Sequence, residues 1–240
     1  MDREVALTSY LIVGAGIAGI SAAEAIRARH VGASITLVTD EPHGFYSRPG
    51  LAYYLSDIIP ERQLFSRSPA EIAELRLAWI RGHAVGIDRA EHVVALADGR
   101  RLAYDRLLLA TGSAAIPAGF PGAGLAGVVK LDNLQDAREI VRRARRRGRA
   151  VVVGGGITAL ELAEGLAARG VQVHYLLRGD RYWSNVLDET ESRLIERRLG
   201  EQGIVLHHGT EVREAAGRQG TLAGVATAAG ETIPCDVLAV

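Results

Sequence analysis

Two stretches of the chain repeat one succession of apolar and small residues. Residues 11–13 and 151–153 are apolar runs that end at Gly14 and Gly154, and each leads into an alanine-rich segment with helical spacing. A continuous apolar run is typical of a strand that is buried on both faces of a parallel sheet. The pattern therefore predicts strand, tight turn and helix twice, with the two glycines 154 − 14 = 140 residues apart.

The small residues of each turn have the spacing of a dinucleotide fingerprint. The first glycine permits the tight turn, the second lets the backbone approach a pyrophosphate, and the third small residue lets the helix pack on the strand. The free N–H groups at the helix N-terminus then favour a phosphate. A glycine-rich turn in an unrelated fold is the weaker interpretation, because both copies follow an apolar strand. The two sets are Gly14, Gly16 and Gly19, and Gly154, Gly156 and Ala159.

The residues after the next strand differ between the copies. In the first copy the strand ends at Asp40 and Glu41, and Asp40 lies 40 − 19 = 21 residues past Gly19, close to the spacing of about 20 for a ribose-binding acid. A surface aspartate in a turn is the alternative. The second copy has Leu177 and Arg178 there, which favours NADPH or dual use over NADH alone. A solvated Arg178 remains the competing interpretation.

The segments around these motifs indicate two α/β domains. Alternating residues in 79–88 and 92–96 predict strands, and the turn Ala97-Asp98-Gly99 that follows them predicts a hairpin. An apolar strand is expected within Tyr104–Ser113. The Pro- and Gly-rich stretch Pro117–Gly127 is typical of a connection between domains. Beyond it the pattern predicts helices over 134–147 and 189–199, the strand Ile204–His207 and a final hairpin.

Composition excludes several classes of protein. The 28 basic and 28 acidic residues balance, and the basic run Arg142–Arg149 has no interleaved aromatic residues, so we expect a solvated helix end and no nucleic-acid role. No apolar stretch reaches the ~18 residues of a membrane span, and no leader is recognised, so a cytoplasmic location is expected. The single cysteine, Cys235, excludes an internal disulfide, and no metal site is expected.

Four motifs in order resemble the FAD-dependent pyridine nucleotide oxidoreductases. They are LIVGAGIAGISAA, FYSRPGL, YDRLLLATGS and VVVGGGITALELAEGL. The pattern is similar to rubredoxin and ferredoxin reductases, the flavoprotein part of nitrite reductases, and apoptosis-inducing factor. The resemblance implies an α/β fold with two Rossmann-like, three-layer domains that carry β-meander insertions. Residues 1–113 would form the FAD-binding domain and residues 114–240 the NAD(P)-binding domain.

The resemblance also implies roles for individual residues. Glu161 would be the catalytic acid beside the nicotinamide and the flavin, although glutamates are common near helix N-termini on dipole grounds alone. Coenzyme contacts in the second domain would be Gly154, Gly155, Gly156, Ile157, Thr158, Ala159 and Arg178. FAD contacts in the first domain would be Gly14, Ala15, Gly16, Ile17, Ala18, Gly19, Asp40, Glu41, Arg48, Pro49, Val85, Ala110, Thr111 and Gly112.

The chain departs from the family pattern at three places. Tyr53 stands where relatives often carry a lysine that pairs with the glutamate of the second motif. Cys235 lies far from the positions of redox cysteines in the disulfide-reductase branch, so thiol chemistry is not expected. The sequence stops at Val240, where relatives continue, so we expect a truncated product whose FAD domain lacks its last strand and binds FAD weakly.

The implied function is the transfer of a hydride from NADH or NADPH to FAD and then of electrons to an external acceptor. A small electron-transfer protein such as a ferredoxin or rubredoxin is the expected partner, with dioxygen or a quinone as other acceptors, and an oligomer is compatible with the sequence. Two alternatives stay open. One is a binding or signalling module controlled by flavin reduction, and the other is the flavoprotein part of a larger redox complex such as a nitrite reductase.

Overall fold

The computed structural model describes residues 8–240. Within this range six α-helices begin and end as follows: α1 Ile17–Arg29, α2 Gly50–Leu55, α3 Pro69–Glu74, α4 Leu134–Arg143, α5 Ile157–Ala168 and α6 Glu189–Glu201. A short 3₁₀ helix covers Glu61–Leu64. The fifteen strands are β1 Ser9–Val13, β2 Ser34–Thr39, β3 Ala78–Arg81, β4 Ala84–Asp88, β5 Val93–Leu96, β6 Arg101–Ala103, β7 Arg106–Leu109, β8 Val128–Val129, β9 Arg149–Val153, β10 Gln172–Leu176, β11 Val205–His207, β12 Val212–Arg218, β13 Thr221–Thr227, β14 Thr232–Pro234 and β15 Val237–Ala239.

The chain divides into two compact units. The first runs up to Arg48 and resumes over Arg62–Ser113, and the second contains Pro49–Glu61 and Ala114–Val240. The break at residue 113 coincides with the end of the domain expected from the sequence. The stretch Pro49–Glu61 differs from that expectation, because its helix α2 packs in the second unit. Residues 1–7 of the expected first domain lie outside the described residues.

The first unit is built on a parallel sheet with the strand order β3-β2-β1-β7. Successive residues of β1 face opposite layers, as the pleat of a strand requires. Leu11 and Val13 pack with the antiparallel sheet β4-β5-β6, whereas Ile12 packs with residues of α1 such as Ala23. Both faces of the strand are therefore covered, which explains its unbroken apolar run.

The second unit repeats this arrangement on a five-stranded parallel sheet with the order β11-β10-β9-β15-β8. On one face Val151, Leu176 and Leu238 form a core with residues of the antiparallel sheet β12-β13-β14. Helix α5 packs against β9 and β10. The prediction of two Rossmann-like units with β-meander insertions is confirmed.

Two predicted elements have different bounds in the structure. The strand segment expected over residues 79–88 is divided between β3 and β4, which belong to different sheets, and Gly82 lies at the break. Helix α4 ends at Arg143 rather than at residue 147. A tight turn follows, in which the Gly148 amide donates to the Arg145 carbonyl and Arg147 has a φ of +64°.

Candidate nucleotide-binding sites

The first glycine corner, between β1 and α1, is closely packed. Gly14 has a φ of +113°, a conformation that favours glycine. A Cβ atom at Gly14 would overlap the Ala110 carbonyl oxygen, and one at Gly19 would overlap the Gly14 carbonyl oxygen. Both positions therefore need glycine for the chain to pass through the corner and for α1 to lie against it.

The N-terminus of α1 faces open space. Gly16 is the N-cap residue, no side chain caps the helix, and no acidic residue lies in its first turn. No atom lies within 4 Å of the point that a Gly16 Cβ would occupy, and the next residue, Ile17, is 66% exposed. Free N–H groups with an uncompensated positive helix end suit an anion such as a diphosphate.

The second corner, between β9 and α5, has the same construction with one difference. Gly154 has a φ of +141°, and Gly156 caps a helix that again lacks a side-chain cap and an acidic first turn. The third position accepts Ala159, whose Cβ atom would lie 3.0 Å from a Cβ atom built on Gly154. The space beside Gly155 and Gly156 is open.

A cavity of about 700 Å³ in the second unit opens at this corner. The predicted residues Gly154, Gly155, Gly156 and Arg178 all line it. Ile157, the first residue of α5, is 49% exposed. The glycine turn thus forms one wall of a space large enough for a nucleotide, and the residues present fit a pyridine nucleotide.

The two acids after β2 have different surroundings. Glu41 accepts hydrogen bonds from the Tyr46 hydroxyl at 2.7 Å and from the Arg48 guanidinium. Asp40 is more exposed, and its carboxylate lies 3.0 Å from Nδ1 of His83. Because Glu41 is already engaged by two side chains, Asp40 is the carboxylate that is more available to a ribose hydroxyl.

The other residues expected around FAD lie at irregular points of the backbone. Val85 falls at a shift in the β4–β5 register, between the pairs Ala84–Leu96 and Gly86–Ala95, where a bulge frees the backbone from regular pairing. In the segment Ala110–Gly112 after β7, the Ala110 amide bonds to the Val13 carbonyl, and Gly112 has a φ of +69°. Pro49 is the N-cap residue of α2 and belongs to the second unit.

Sequence reasoning missed one cationic residue of the second site. Arg181 lines the same cavity as Arg178, three residues further along the loop after β10. Leu177, where an NAD site would carry an acid, is buried. The sequence RGDR shows that Arg181 lies close to Arg178 along the chain, but it does not show in which direction a loop side chain points.

Glu161 lies on α5, outside the residues that line the cavity. Burial, and secondarily the nearby Glu164, raise the pKa of its carboxyl group above the usual 4.5. A partly buried acid of this kind holds its proton more readily than an exposed one. Its role beside the nicotinamide stays a prediction.

Cys235 is buried between β14 and β15. Burial raises the pKa of its thiol to about 12, so little reactive thiolate forms at neutral pH. Across residues 8–240 we found no cluster of three metal-ligating side chains. A search of the same residues gave no helix with the length and apolar character needed to cross a membrane.

Two Rossmann-like units, each with an open glycine corner, define a protein with paired dinucleotide-binding folds. Residues 8–240 match the family model described as pyridine nucleotide-disulphide oxidoreductase, and the chain belongs to this family.

Similar proteins include several reductases. The chain is 33% identical to rhodocoxin reductase of Rhodococcus erythropolis, covering 97% of this chain and 55% of that protein. It is 32% identical to the biphenyl dioxygenase system ferredoxin–NAD(+) reductase component of Paraburkholderia xenovorans, covering 98% and 57%. Among solved structures, the covalent putidaredoxin reductase–putidaredoxin complex aligns with a TM-score of 0.90 at 29% identity, covering 97% and 57%. The chain therefore spans a little over half the length of the curated relatives it matches.

Proposed function

We propose that the chain is the nucleotide-binding part of a flavin-dependent oxidoreductase that passes a hydride from NAD(P)H to FAD and then electrons to an external acceptor. The observation that carries the proposal is the repeated corner. At Gly14–Gly16 and again at Gly154–Gly156, a positive-φ glycine leads to an uncapped helix N-terminus with open space beside it. Each corner suits one diphosphate, and two dinucleotides on one chain suit electron transfer between them.

On the first unit, FAD would be held by its diphosphate at the N-terminus of α1. The backbone amides after Gly16 would donate to the phosphates, while the exposed Asp40 would accept hydrogen bonds from the adenosine ribose. The bulge at Val85 offers backbone groups for the adenine. Tyr46 and Arg48 hold the loop after β2 through Glu41, so this side of the site is preorganised.

On the second unit, NAD(P)H would enter the cavity at the N-terminus of α5. Gly155 and Gly156 leave room for its diphosphate, and the residues after β10 would hold the adenosine end. When bound, FAD would supply the hydride-accepting chemistry, while the protein supplies binding and orientation. Glu161, with its raised pKa, would hold a proton near this corner.

Small electron-transfer proteins are the acceptors that best agree with the relatives, whose names include rhodocoxin reductase and ferredoxin–NAD(+) reductase. Cys235 is buried and its thiol has a raised pKa, so it is a poor electron acceptor within the chain. This also favours an external electron acceptor. The proposal includes a cytoplasmic location, which fractionation of the source cells tests.

The experiment uses the visible absorption of flavin as its signal. The purified chain is kept in excess FAD, so that a weak site is filled, and is mixed with NADPH or NADH without oxygen. We expect FAD to bind, the flavin to bleach on addition of the nucleotide, and its colour to return when a ferredoxin or rubredoxin is added. A long-lived bleached complex that no acceptor reoxidises would favour the binding-module alternative.

Two matched variants assign the sites. Gly16→Val and Gly156→Val each place a side chain into open space, so neither disturbs the packing of its unit. Gly16→Val should prevent flavin uptake, whereas Gly156→Val should keep the flavin but prevent bleaching. The proposal fails if the unsubstituted chain takes up no flavin. It also fails if both variants take up flavin and bleach as the unsubstituted chain does.

A further inference from the structure

The loop after β10 carries two arginines into one cavity. Arg178 and Arg181 both line the space that opens at Gly154–Gly156, and Glu211 is the one acidic residue in its lining. The position after β10 that would carry a ribose-binding acid is the buried Leu177. The charged side chains that line the cavity therefore leave a net positive charge where the adenosine end of a coenzyme would lie.

Arg181 has unused hydrogen-bonding capacity. Its Nε atom is buried without a hydrogen-bond partner among the described residues. One terminal nitrogen donates to the Ser184 carbonyl at 3.2 Å, and the other lies 3.8 Å from the exposed Asp180 carboxylate. Most N–H donors of this guanidinium therefore have no protein acceptor within residues 8–240, and the side chain is partly exposed, so its terminal nitrogens can donate to an anionic ligand.

Arg178 is accessible to a ligand because its side chain is exposed. Its side chain is 85% exposed, and its ion pair with Glu211 joins Nε to Oε1 at 3.5 Å between two exposed groups. Such a pair contributes little, so it can open when a stronger anion arrives. A phosphate placed between Arg178 and Arg181 would outcompete the single carboxylate.

The loop that presents Arg181 is held in place. Glu196 of α6 accepts from the Tyr182 amide at 2.7 Å, and Ser192 donates to the Tyr182 carbonyl at 2.7 Å. Trp183, which also lines the cavity, has a φ of +49°, an uncommon conformation for a bulky residue. The site is therefore preorganised rather than formed by a mobile loop.

From these observations we infer that the second site selects NADPH over NADH, with Arg178 and Arg181 holding the 2′-phosphate of the adenosine ribose. The inference rests on the proposed function, since it names the coenzyme of that site. A site for a free ribose hydroxyl would carry an acid where this chain has Leu177. This site has two arginines and no acid at that position.

The test measures binding rather than turnover. Adenosine 2′,5′-diphosphate and AMP are titrated into the purified chain by calorimetry, because they differ only in the 2′-phosphate that the arginines would hold. We expect the former to bind more tightly by about ten- to a hundredfold. Arg181→Gln and Arg178→Gln should each remove about tenfold or more of this preference while leaving the affinity for AMP unchanged.

Two further variants sharpen the result. Arg193→Gln removes an exposed arginine of α6 outside the cavity lining, and it should change neither affinity. Glu211→Gln should strengthen the binding of the doubly phosphorylated ligand, because it removes a repelling carboxylate. Weaker AMP binding in Glu211→Gln would mean that Glu211 serves a ribose hydroxyl, which contradicts the inference.

The outcomes separate this inference from the proposed function. Equal affinities, or tighter binding of AMP, overturn the selection of NADPH even if NADH bleaches the flavin. A clear preference for the doubly phosphorylated ligand without any hydride transfer would support the inference and overturn the oxidoreductase. If neither ligand binds, both fail.

Discussion

At the third small residue of each glycine corner, the space available for one Cβ atom decides whether alanine fits. A Cβ atom at Gly19 would overlap the carbonyl oxygen of Gly14, whereas Ala159 at the equivalent point of the second corner keeps its Cβ atom, 3.0 Å from one built on Gly154. Backbone cannot move aside as a flexible side chain can. The first helix therefore lies too close to its turn for any residue except glycine.

Replacing Gly19 by alanine should destabilise the first unit. The added Cβ atom must push α1 away from the turn, at a cost of about 1–3 kcal/mol, and flavin affinity should fall with it. Urea unfolding measures the loss. The matched control is Gly16→Ala, where the space is open, and its stability should stay within about 1 kcal/mol of the unsubstituted chain. Identical unfolding curves for Gly19→Ala and Gly16→Ala would contradict the packing argument.

The carboxyl group of Glu161 should make stability depend on pH. Burial, followed by the nearby Glu164, raises its pKa above 4.5, so the folded state binds the proton more tightly than the unfolded state. Its contribution to stability is therefore greatest below pH 4.5 and is lost as the pH rises through the folded-state pKa. Glu161→Gln should remove this dependence and be the more stable protein at neutral pH.

Chemical unfolding at several pH values checks this prediction. Glu189→Gln, at an exposed position of α6, serves as the control for a lost surface carboxylate. If Glu161→Gln is instead less stable at neutral pH, the carboxylate has a favourable partner and its proton-holding role is wrong.

Helix α2 is an element that sequence patterns did not predict. It has only six residues, too few to be stable alone, and it depends on contacts within the second unit. Arg169, which follows α5, donates to the Leu55 carbonyl at 2.6 Å and to the Tyr54 carbonyl at 2.7 Å. These carbonyls lie in the last turn of α2, where backbone acceptors have no partner within the helix. Gly165 allows α5 to approach Leu55 closely.

Loss of the Arg169 guanidinium should therefore loosen α2. We expect Arg169→Met to lower the free energy of unfolding of the second unit by about 1.5–3 kcal/mol, because two carbonyls lose a charged donor. Hydrogen exchange of residues 50–56 should accelerate. Arg169→Lys keeps the charge but lacks the planar guanidinium, so its stability should lie between those of Arg169→Met and the unsubstituted chain. Unchanged exchange in Arg169→Met would show that α2 is held by its apolar contacts alone.

At the scale of the whole molecule, the two units carry the same glycine corner but differ in the residues that follow the next strand. In the first unit Asp40 and Glu41 follow β2, and in the second unit Leu177 and Arg178 follow β10. The corner is shared because any dinucleotide has a diphosphate. The difference at the ribose would let each unit select its own coenzyme.

Each coenzyme should therefore protect its own unit from hydrogen exchange. FAD should slow exchange in residues 14–20 and 110–113, and NADPH should slow exchange in residues 154–160 and 178–185. Exchange followed by mass spectrometry, with each ligand alone, measures both effects. Protection of the second set by FAD alone would reverse the assignment of coenzymes to units.

Local sequence determined the corners of this protein. A positive φ at Gly14 and Gly154, and the need for apolar residues on both faces of β1 and β9, depend on the residue itself and its close neighbours. The strand, turn and helix around each corner were accordingly predictable, as was the family.

Tertiary structure decided what depends on residues distant in the sequence. Only the fold brought Arg181 into the cavity with Arg178, placed Pro49–Glu61 in the second unit, and left Glu161 outside the cavity lining. The direction of a loop side chain, and the partner of a six-residue helix, are set by packing against elements elsewhere in the chain. A pattern of neighbouring residues carries no information about such contacts.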